Sequence, residues 1–346
     1  MQARLSVEIV AQGLEVPWAF AFTPDGRLLF TERPGRVRVV EKGRLREKPL
    51  AVIEDCVHRG EGGLMGIAVH PNYGRNRWVY LAYLYDDRGF KVRVVRFRDT
   101  GESLTDRKVI IENIEGSFVH DGTALGFGPD GKLYITTGDA AKRELSARLD
   151  RLEGKTLRLN DDGTVPKDNP FVNTPNARPE IWTIGHRNAQ GMDWQPRTGL
   201  MFQSEHGPSG FDGPGGGDEV NIVERGKHYG WPHIHHRETR EGMEAPLLEF
   251  TPAVGPASIA FYRGTRFREW QGNLFMATLR GQRLVRIVLD GRRVVRTENL
   301  LTNMHGRLRA VASGPDGFLY VSTSNRDGRG RPHPDDDRIL RIGLSS

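Results

Sequence analysis

Short runs of alternating polar and apolar residues recur along the chain, without long amphipathic helices between them. Arg36-Val37-Arg38-Val39-Val40, Lys91-Val92-Arg93-Val94-Val95-Arg96-Phe97 and Gly281-Gln282-Arg283-Leu284-Val285-Arg286-Ile287-Val288-Leu289 place every second side chain on one face. That is the two-residue period of a half-buried strand. The third run ends at Asp290-Gly291, a hairpin signal. Only Glu144 to Leu152 reads as a short helix, in an inserted loop.

A turn phrase punctuates the strands. Thr23-Pro24-Asp25-Gly26, Gly128-Pro129-Asp130-Gly131 and Gly314-Pro315-Asp316-Gly317 each precede an apolar, β-prone run. Proline presets φ at the second turn position, and Asp-Gly tolerates positive φ. Degenerate copies lie at Pro71, Pro196 and Gly272, giving six units about 45 to 75 residues apart. A propeller blade of four strands needs about 40–50 residues, with the excess in loops on one face. The expected fold is all-β: residues 1–346 as a single six-bladed β-propeller with four-stranded antiparallel blades. Leu5–Val10 and Arg338–Ile342 both read as strands, so the N-terminal strand is expected to close the last blade and remove its open edge. A long TIM barrel would need about eight helices, which the pattern does not supply.

Composition narrows the class. Of 346 residues, 37% are apolar and 27% charged, and the 42 glycines and 20 prolines are spread along the chain, as many turns require. No apolar run of about 18 residues predicts a membrane span. Met1-Gln2-Ala3-Arg4 leads directly into a strand-like stretch rather than a signal peptide, as it would in a mature exported protein lacking its leader. The net charge is +6, with 50 Lys and Arg against 44 Asp and Glu. No basic run interleaved with aromatics marks nucleic acid, so none is expected as a partner. Cys56 is the only cysteine, which excludes an intrachain disulfide and a cysteine-rich metal site.

Six polar, glycine-rich segments between the repeat turns could carry chemistry. In Arg59-Gly60-Glu61-Gly62-Gly63, Glu61 is either a carboxylate brought close to a ligand or a solvated turn residue. His120, in Phe118-Val119-His120-Asp121, is either a general base or a structural histidine. Gly185-His186-Arg187-Asn188 offers a fixed cation suited to an anionic or quinonoid oxygen, or a salt-bridged turn. Glu205-His206-Gly207-Pro208 with Gly217-Asp218-Glu219, and then His228-Tyr229-Gly230, combine carboxylates and turn carbonyls as a Ca²⁺ site does, without EF-hand spacing. Arg307 and Arg309 share one strand face, and Arg280 ends an apolar strand in an equivalent blade position. The three would converge on a polyanion pocket, or each would face solvent.

Taken together, these segments resemble the soluble pyrroloquinoline quinone (PQQ)-dependent sugar dehydrogenases, six-bladed propellers. The aldose sugar dehydrogenase branch is closer than the soluble glucose dehydrogenase branch. The resemblance runs from Pro17-Trp18-Ala19-Phe20 through Glu61–Gly66, Gly185–Asn188, Gly207-Pro208 and Gly217–Asn221 to Arg307-Leu308-Arg309. It implies oxidation of aldoses at C1 to lactones, with PQQ and Ca²⁺ as cofactors, electrons passed to an external acceptor, and a monomer or weak dimer in the periplasm or secreted. It implies His120 as general base, Arg187 as a catalytic and cofactor-binding cation, and Glu61, Asn188, Arg280, Arg307 and Arg309 as cofactor contacts. Gly207 and Pro208 match carbonyls around a cofactor-bound Ca²⁺, and Glu219 with the Tyr229 backbone matches a second, structural Ca²⁺ site. Four departures stand out. Glu61 replaces a glutamine of the glucose dehydrogenase branch, Val119 replaces an acidic sugar contact, Arg280 stands where lysine is common, and the Ser209–Gly217 loop is longer than usual. The rival expectations are a Ca²⁺-dependent lactonase or hydrolase on a similar propeller, and a non-enzymatic binding propeller. The turn phrase is expected to mark where each blade hands over to the central site.

Overall fold

The computed structural model describes residues 5–345; Met1–Arg4 and Ser346 lie outside that range. Six antiparallel sheets form the blades of a six-bladed β-propeller. Blade 1 begins with Pro17–Phe22, Leu28–Glu32 and Arg36–Glu41. Its outer edge is shared by two short strands, Arg44–Leu45 and Ala51–Val52, which both pair with Arg36–Glu41. Blade 2 runs from Leu64–Val69 through Trp78–Asp86 and Phe90–Asp99 to Leu104–Glu115. Blade 3 is Leu125–Phe127, Leu133–Thr136, Lys155–Leu159 and Ile181–Ile184. Blade 4 is Ala189–Trp194, Met201–Glu205, Asp218–Val223 and Leu248–Phe250. Blade 5 is Pro256–Phe261, Leu274–Thr278, Arg283–Asp290 and Arg293–Leu300. Blade 6 takes Leu308–Ser313, Leu319–Thr323 and Ile339–Leu344 from the C-terminal region and Leu5–Ala11 from the N-terminal one. Leu5 pairs with Leu344 and Ile9 with Leu340, so the ring closes as the terminal strand patterns predicted.

The first strand of each blade touches the first strands of its neighbours around the axis. The apolar core is divided accordingly into six clusters, one at each blade interface. Leu29, Val37, Leu64 and Tyr83 join blades 1 and 2, while Phe202, Val220, Phe261 and Met276 join blades 4 and 5. Each blade thus buries both faces, against the blade before and the blade after, which no blade could do alone.

The repeated turns form as their sequence requires. Gly26, Gly131 and Gly317 have φ of 86°, 72° and 80°, and in the last two copies the aspartate accepts from the N–H two residues on, Lys132 and Phe318. In blades 3 and 6 the same aspartate also binds a tyrosine and an arginine from the neighbouring strands. These are Asp130 with Tyr134 and Arg158, and Asp316 with Tyr320 and Arg341. The helix expected over Glu144–Leu152 is a single 3₁₀ turn, Arg143–Ala147.

Behind that turn lies a buried cation. Lys155 Nζ donates to the carbonyls of Leu145, Ser146 and Glu153 at 2.8, 2.9 and 2.6 Å. Burial pushes its ammonium down to about 7. The native state therefore binds fewer protons than the unfolded chain between about pH 7 and the ordinary lysine value, so stability should rise with pH across that window. Chemical denaturation at pH 7 and pH 9.5 checks this: the gain should disappear in Lys155→Met, and an equal gain in both proteins would contradict it.

Candidate active site

Two sets of connections meet at one end of the ring. Glu61, His120, Arg187 with Asn188, and Arg307 each precede the first strand of a blade. Arg33, Asp139, the His206–Gly217 loop, Arg280 and Asp327 come from turns between second and third strands. In antiparallel blades these two kinds of connection share an end. The Pro-Asp-Gly turns join first to second strands and so occupy the opposite end, one strand length away. The expectation that the phrase marks the hand-over to the site is therefore corrected: it marks the far face.

His120 is 4% exposed and sits in the left-handed region at φ 62°. Its neighbours over-determine that conformation. Its N–H donates to Glu61 Oε2 at 3.1 Å, and its carbonyl lies so close to Gly138 that a Cβ there would stand 1.7 Å from the oxygen. Nδ1 lies 2.6 Å from Asp139 Oδ1, while Trp231 Nε1 donates to Asp139 Oδ2 at 2.8 Å. A carboxylate only accepts, so neutral His120 carries its proton on Nδ1 and keeps Nε2 as a free acceptor. That chain of indole, carboxylate and imidazole fixes a base in one tautomer and one orientation. Asp139 and Trp231 were missed by sequence reasoning. Asp139 had a usable signal: it follows the second strand of a blade, where turns share the end that carries His120.

Arg187 is 2% exposed and its guanidinium is held by one loop. Nε donates to Asp212 Oδ2 at 2.7 Å, Nη2 to Ser209 Oγ at 3.0 Å and Nη1 to the His206 carbonyl at 3.3 Å. The Phe211 ring stacks on His120 with centroids 5.9 Å apart. Asn188 Oδ1 accepts from the Gly122 N–H at 3.0 Å, which ties it to the segment carrying His120. Arg187 and His120 thus lie side by side beneath the long Ser209–Gly217 loop.

Beside them opens a cavity of about 870 Å³. Arg280, Arg307 and Arg309, predicted to converge, all line it, together with Glu61, Gly207 and Pro208. Arg33 and Arg329 add two cations that the sequence did not single out, making five arginines against the carboxylates of Glu61, Asp218 and Asp327. Asp218 is already committed to the N–H groups of Gly207, Val254 and Gly255. Arg307 pairs with Asp327 at 2.8 Å and Arg329 with Glu61 at 2.8 Å. Arg309, 6% exposed, has only neutral partners, Ser324 Oγ and Gln190 Oε1, both at 3.1 Å. Burial pulls its guanidinium down to about 10, opposed by Asp327 and assisted by Arg33 and Arg307. A buried cation that touches only neutral partners, with Asp327 acting on it without a direct hydrogen bond, is costly, and an anion in the cavity would relieve it. The donor set fits a compact ligand with several carboxylates.

A second, small cavity of about 10 Å³ is walled by Glu205, Gly207, Pro208, Glu219 and Tyr229. Burial, and then the neighbouring Glu205 charge, push the Glu219 carboxyl well above its usual range. Asn221 donates to Glu219 but leaves its own Oδ1 buried and unpartnered. Among the described residues no three His, Cys, Asp or Glu side chains group as a metal site. A cation here would draw on carboxylate, amide and backbone oxygens, the hard donors that suit Ca²⁺. The Tyr229 ring stacks on His186 at 4.9 Å, so the side chain is occupied and only its backbone is available as a ligand.

Comparison with known proteins places these features in context. The family described as Glucose / Sorbosone dehydrogenase matches residues 14–340. The chain is 34% identical to the aldose sugar dehydrogenase YliI of Escherichia coli, over 94% of this chain and 92% of that protein. A structure from Thermus thermophilus, provisionally designated an oxidoreductase (glucose dehydrogenase), superposes with a TM-score of 0.91 at 46% identity, covering 98% of this chain and 99% of that one. The PQQ-bound form of aldose sugar dehydrogenase from Streptomyces coelicolor superposes with a TM-score of 0.86 at 32% identity, covering 99% of each chain.

Proposed function

The chain belongs to the glucose/sorbosone dehydrogenase family, and on that premise we propose that it oxidises the C1 hydroxyl of aldoses to lactones, with PQQ as acceptor and electrons then passing to an external carrier. The observation that carries this reading is the His120–Asp139 pair beside a cavity rich in arginine. When bound, PQQ supplies the two-electron acceptor for the hydride leaving C1. His120 Nε2 takes the proton of the C1 hydroxyl, and Asp139 stabilises the imidazolium that results. Arg307, Arg309 and Arg280 would hold carboxylates, with Glu61 beside them; Asn188, outside that lining and tied to the Gly122 N–H, would support the segment that carries His120. Arg187, held by the loop whose Phe211 stacks on His120, is a fixed cation beside the base that would stabilise negative charge developing during transfer. A lactonase would use the base but leaves the five arginines without a role. Among the described residues no helix is long and apolar enough to cross a membrane; a periplasmic or secreted location belongs to the same proposal.

Ca²⁺ is assigned to two places on the same reasoning. Gly207 and Pro208, which line both cavities, would hold the cofactor-side ion through their carbonyls, and Glu219 with the Tyr229 backbone would hold the structural one. The test is dye reduction by cofactor-free protein given PQQ and Ca²⁺, then glucose and other aldoses. Reduction that depends on both additions is expected; none with any aldose would sink the proposal. Ca²⁺ alone should raise Tm, because a ligand of the native state stabilises it, and Glu219→Gln should remove most of that rise. An undiminished rise in Glu219→Gln would exclude Glu219 as a ligand.

A further inference from the structure

The small cavity beside Glu219 has walls that lead to both proposed catalytic side chains. Arg187, Glu205 and Trp231 border it together with Glu219 and Tyr229. Its volume of about 10 Å³ admits one ion or one water and nothing larger. Glu205 and Glu219 stand directly opposite each other in adjacent strands of blade 4, so their side chains share one face. Two carboxylates in that register repel. Among the described residues neither pairs with a lysine or arginine: Glu205 meets His186 Nδ1 at 2.8 Å, and Glu219 meets Asn221. A divalent cation between them would supply the missing charge.

From these walls, contacts run to the base and to Arg187. Glu205 Oε1 accepts the Arg187 N–H, which fixes where that side chain leaves the backbone. Trp231 reaches further. Its Nε1 donates to Asp139 Oδ2, whose other oxygen holds His120 Nδ1. Its ring centre also lies 5.6 Å from the Arg187 guanidinium, within the range of a cation–π contact. One indole thus links the cavity, the partner of the base and the fixed cation. The loop that carries it is zipped to the segment before Arg187. Tyr229 N–H donates to the Ile184 carbonyl at 2.9 Å, and Trp231 N–H to that of Gly185 at 3.0 Å. Tyr229, whose backbone the cation would use, precedes Trp231 by two residues.

We propose that this cavity is a control site for catalysis: a divalent cation held by Glu219 fixes Glu205 and Trp231, and through them orients Arg187 and His120. The inference rests on the dehydrogenase reading and the Ca²⁺ assignment above, and adds that the ion acts on kcat and not on the fold alone. Glu205 and Trp231 are positioning residues, and neither lines the arginine cavity.

The Nδ1 proton of His120 reports on its bond to Asp139, and NMR of cofactor-free protein with labelled histidine reads its exchange with water. Adding Ca²⁺ is expected to slow that exchange about tenfold in wild type, as fixing one hydrogen bond in place should. In Trp231→Phe, Ca²⁺ should raise Tm as it does in wild type but leave the exchange of His120 unchanged. The loaded variant should lose about tenfold in kcat with the aldose KM unchanged. Slowing that persists in Trp231→Phe, or none in wild type although Tm rises, overturns the coupling. Should Trp231→Phe not fold, sucrose added to wild type until Tm rises equally is the control. Slowing by Ca²⁺ but not by sucrose supports the coupling, and equal slowing by both overturns it. If Ca²⁺ changes neither Tm nor exchange, the cation site fails and the inference with it. If no aldose is oxidised at all, the dehydrogenase reading fails, while the exchange of His120 still decides the coupling.

Discussion

Replacing His120 by alanine is expected to lower kcat by about 10²–10⁴-fold, the usual contribution of a positioned acid or base. Cofactor affinity should stay within about threefold of wild type, because His120 does not line the arginine cavity. Single-turnover kinetics with saturating PQQ separate the two quantities. Asp139→Asn is the sharper companion. The amide can donate to Nδ1 as well as accept from it, which frees the ring to place its proton on Nε2, the atom that must be unprotonated to act. Turnover should fall by about 10²-fold or more although His120 is present and the Trp231 contact can persist through the amide oxygen. Turnover near wild type in His120→Ala would remove the base from the mechanism. Turnover near wild type in Asp139→Asn would show that tautomer control is not what the pair provides.

The second large effect concerns Arg309. A buried guanidinium with neutral hydrogen-bond partners, only partly offset by Asp327, lowers the stability of the cofactor-free fold, and an anion in the cavity would compensate it. Arg309→Met should therefore raise the Kd for PQQ by about 10- to 100-fold, the value of a charge-assisted hydrogen bond of about 1.5–3 kcal/mol. The same substitution should leave the Tm of cofactor-free protein unchanged or higher. Arg307→Ala should weaken PQQ comparably but behave differently in stability, because it strips Asp327 of its 2.8 Å partner while that carboxylate stays buried, its side chain 3% exposed. Isothermal titration with PQQ, paired with thermal melts, checks both. An unchanged Kd for Arg309→Met would mean that the cavity does not hold carboxylates through this residue. A large loss of Tm would mean that the arginine serves the fold.

Much of the fold was legible because its signals are local. The Pro-Asp-Gly turns declare themselves within four residues, and alternation declares the strands between them. The two terminal segments announced ring closure because both are strand-like and an open ring would leave one blade edge unpaired. The site was legible in part. His120, Arg187, Arg307 and Arg309 stand in glycine-rich segments that interrupt the strand pattern, and the ring does bring their segments to one end. Asp139 and Asp327 were not seen because each is a single aspartate in an ordinary turn, and its meaning depends on which end of the blade that turn occupies. Arg33 was hidden in the same way, after Glu32 at a strand end. Phe211 and Asp212 sit in a loop whose composition predicts only turns, and their contacts with His120 and Arg187 span 91 and 25 residues of chain. The direction of the turn phrase was misread for a related reason: nearness in sequence to His120 is not nearness in space once a strand intervenes.

A protein of this kind holds a PQQ-sized polyanion beside a histidine base. An absorbance titration of cofactor-free protein with PQQ in the presence of Ca²⁺, followed by one addition of aldose, tests it most directly. One equivalent should bind with saturation, and the absorption of the oxidised cofactor should be lost on adding sugar in wild type but persist in His120→Ala. Failure of PQQ to bind, or a spectrum that aldose leaves unchanged in wild type, would contradict the account.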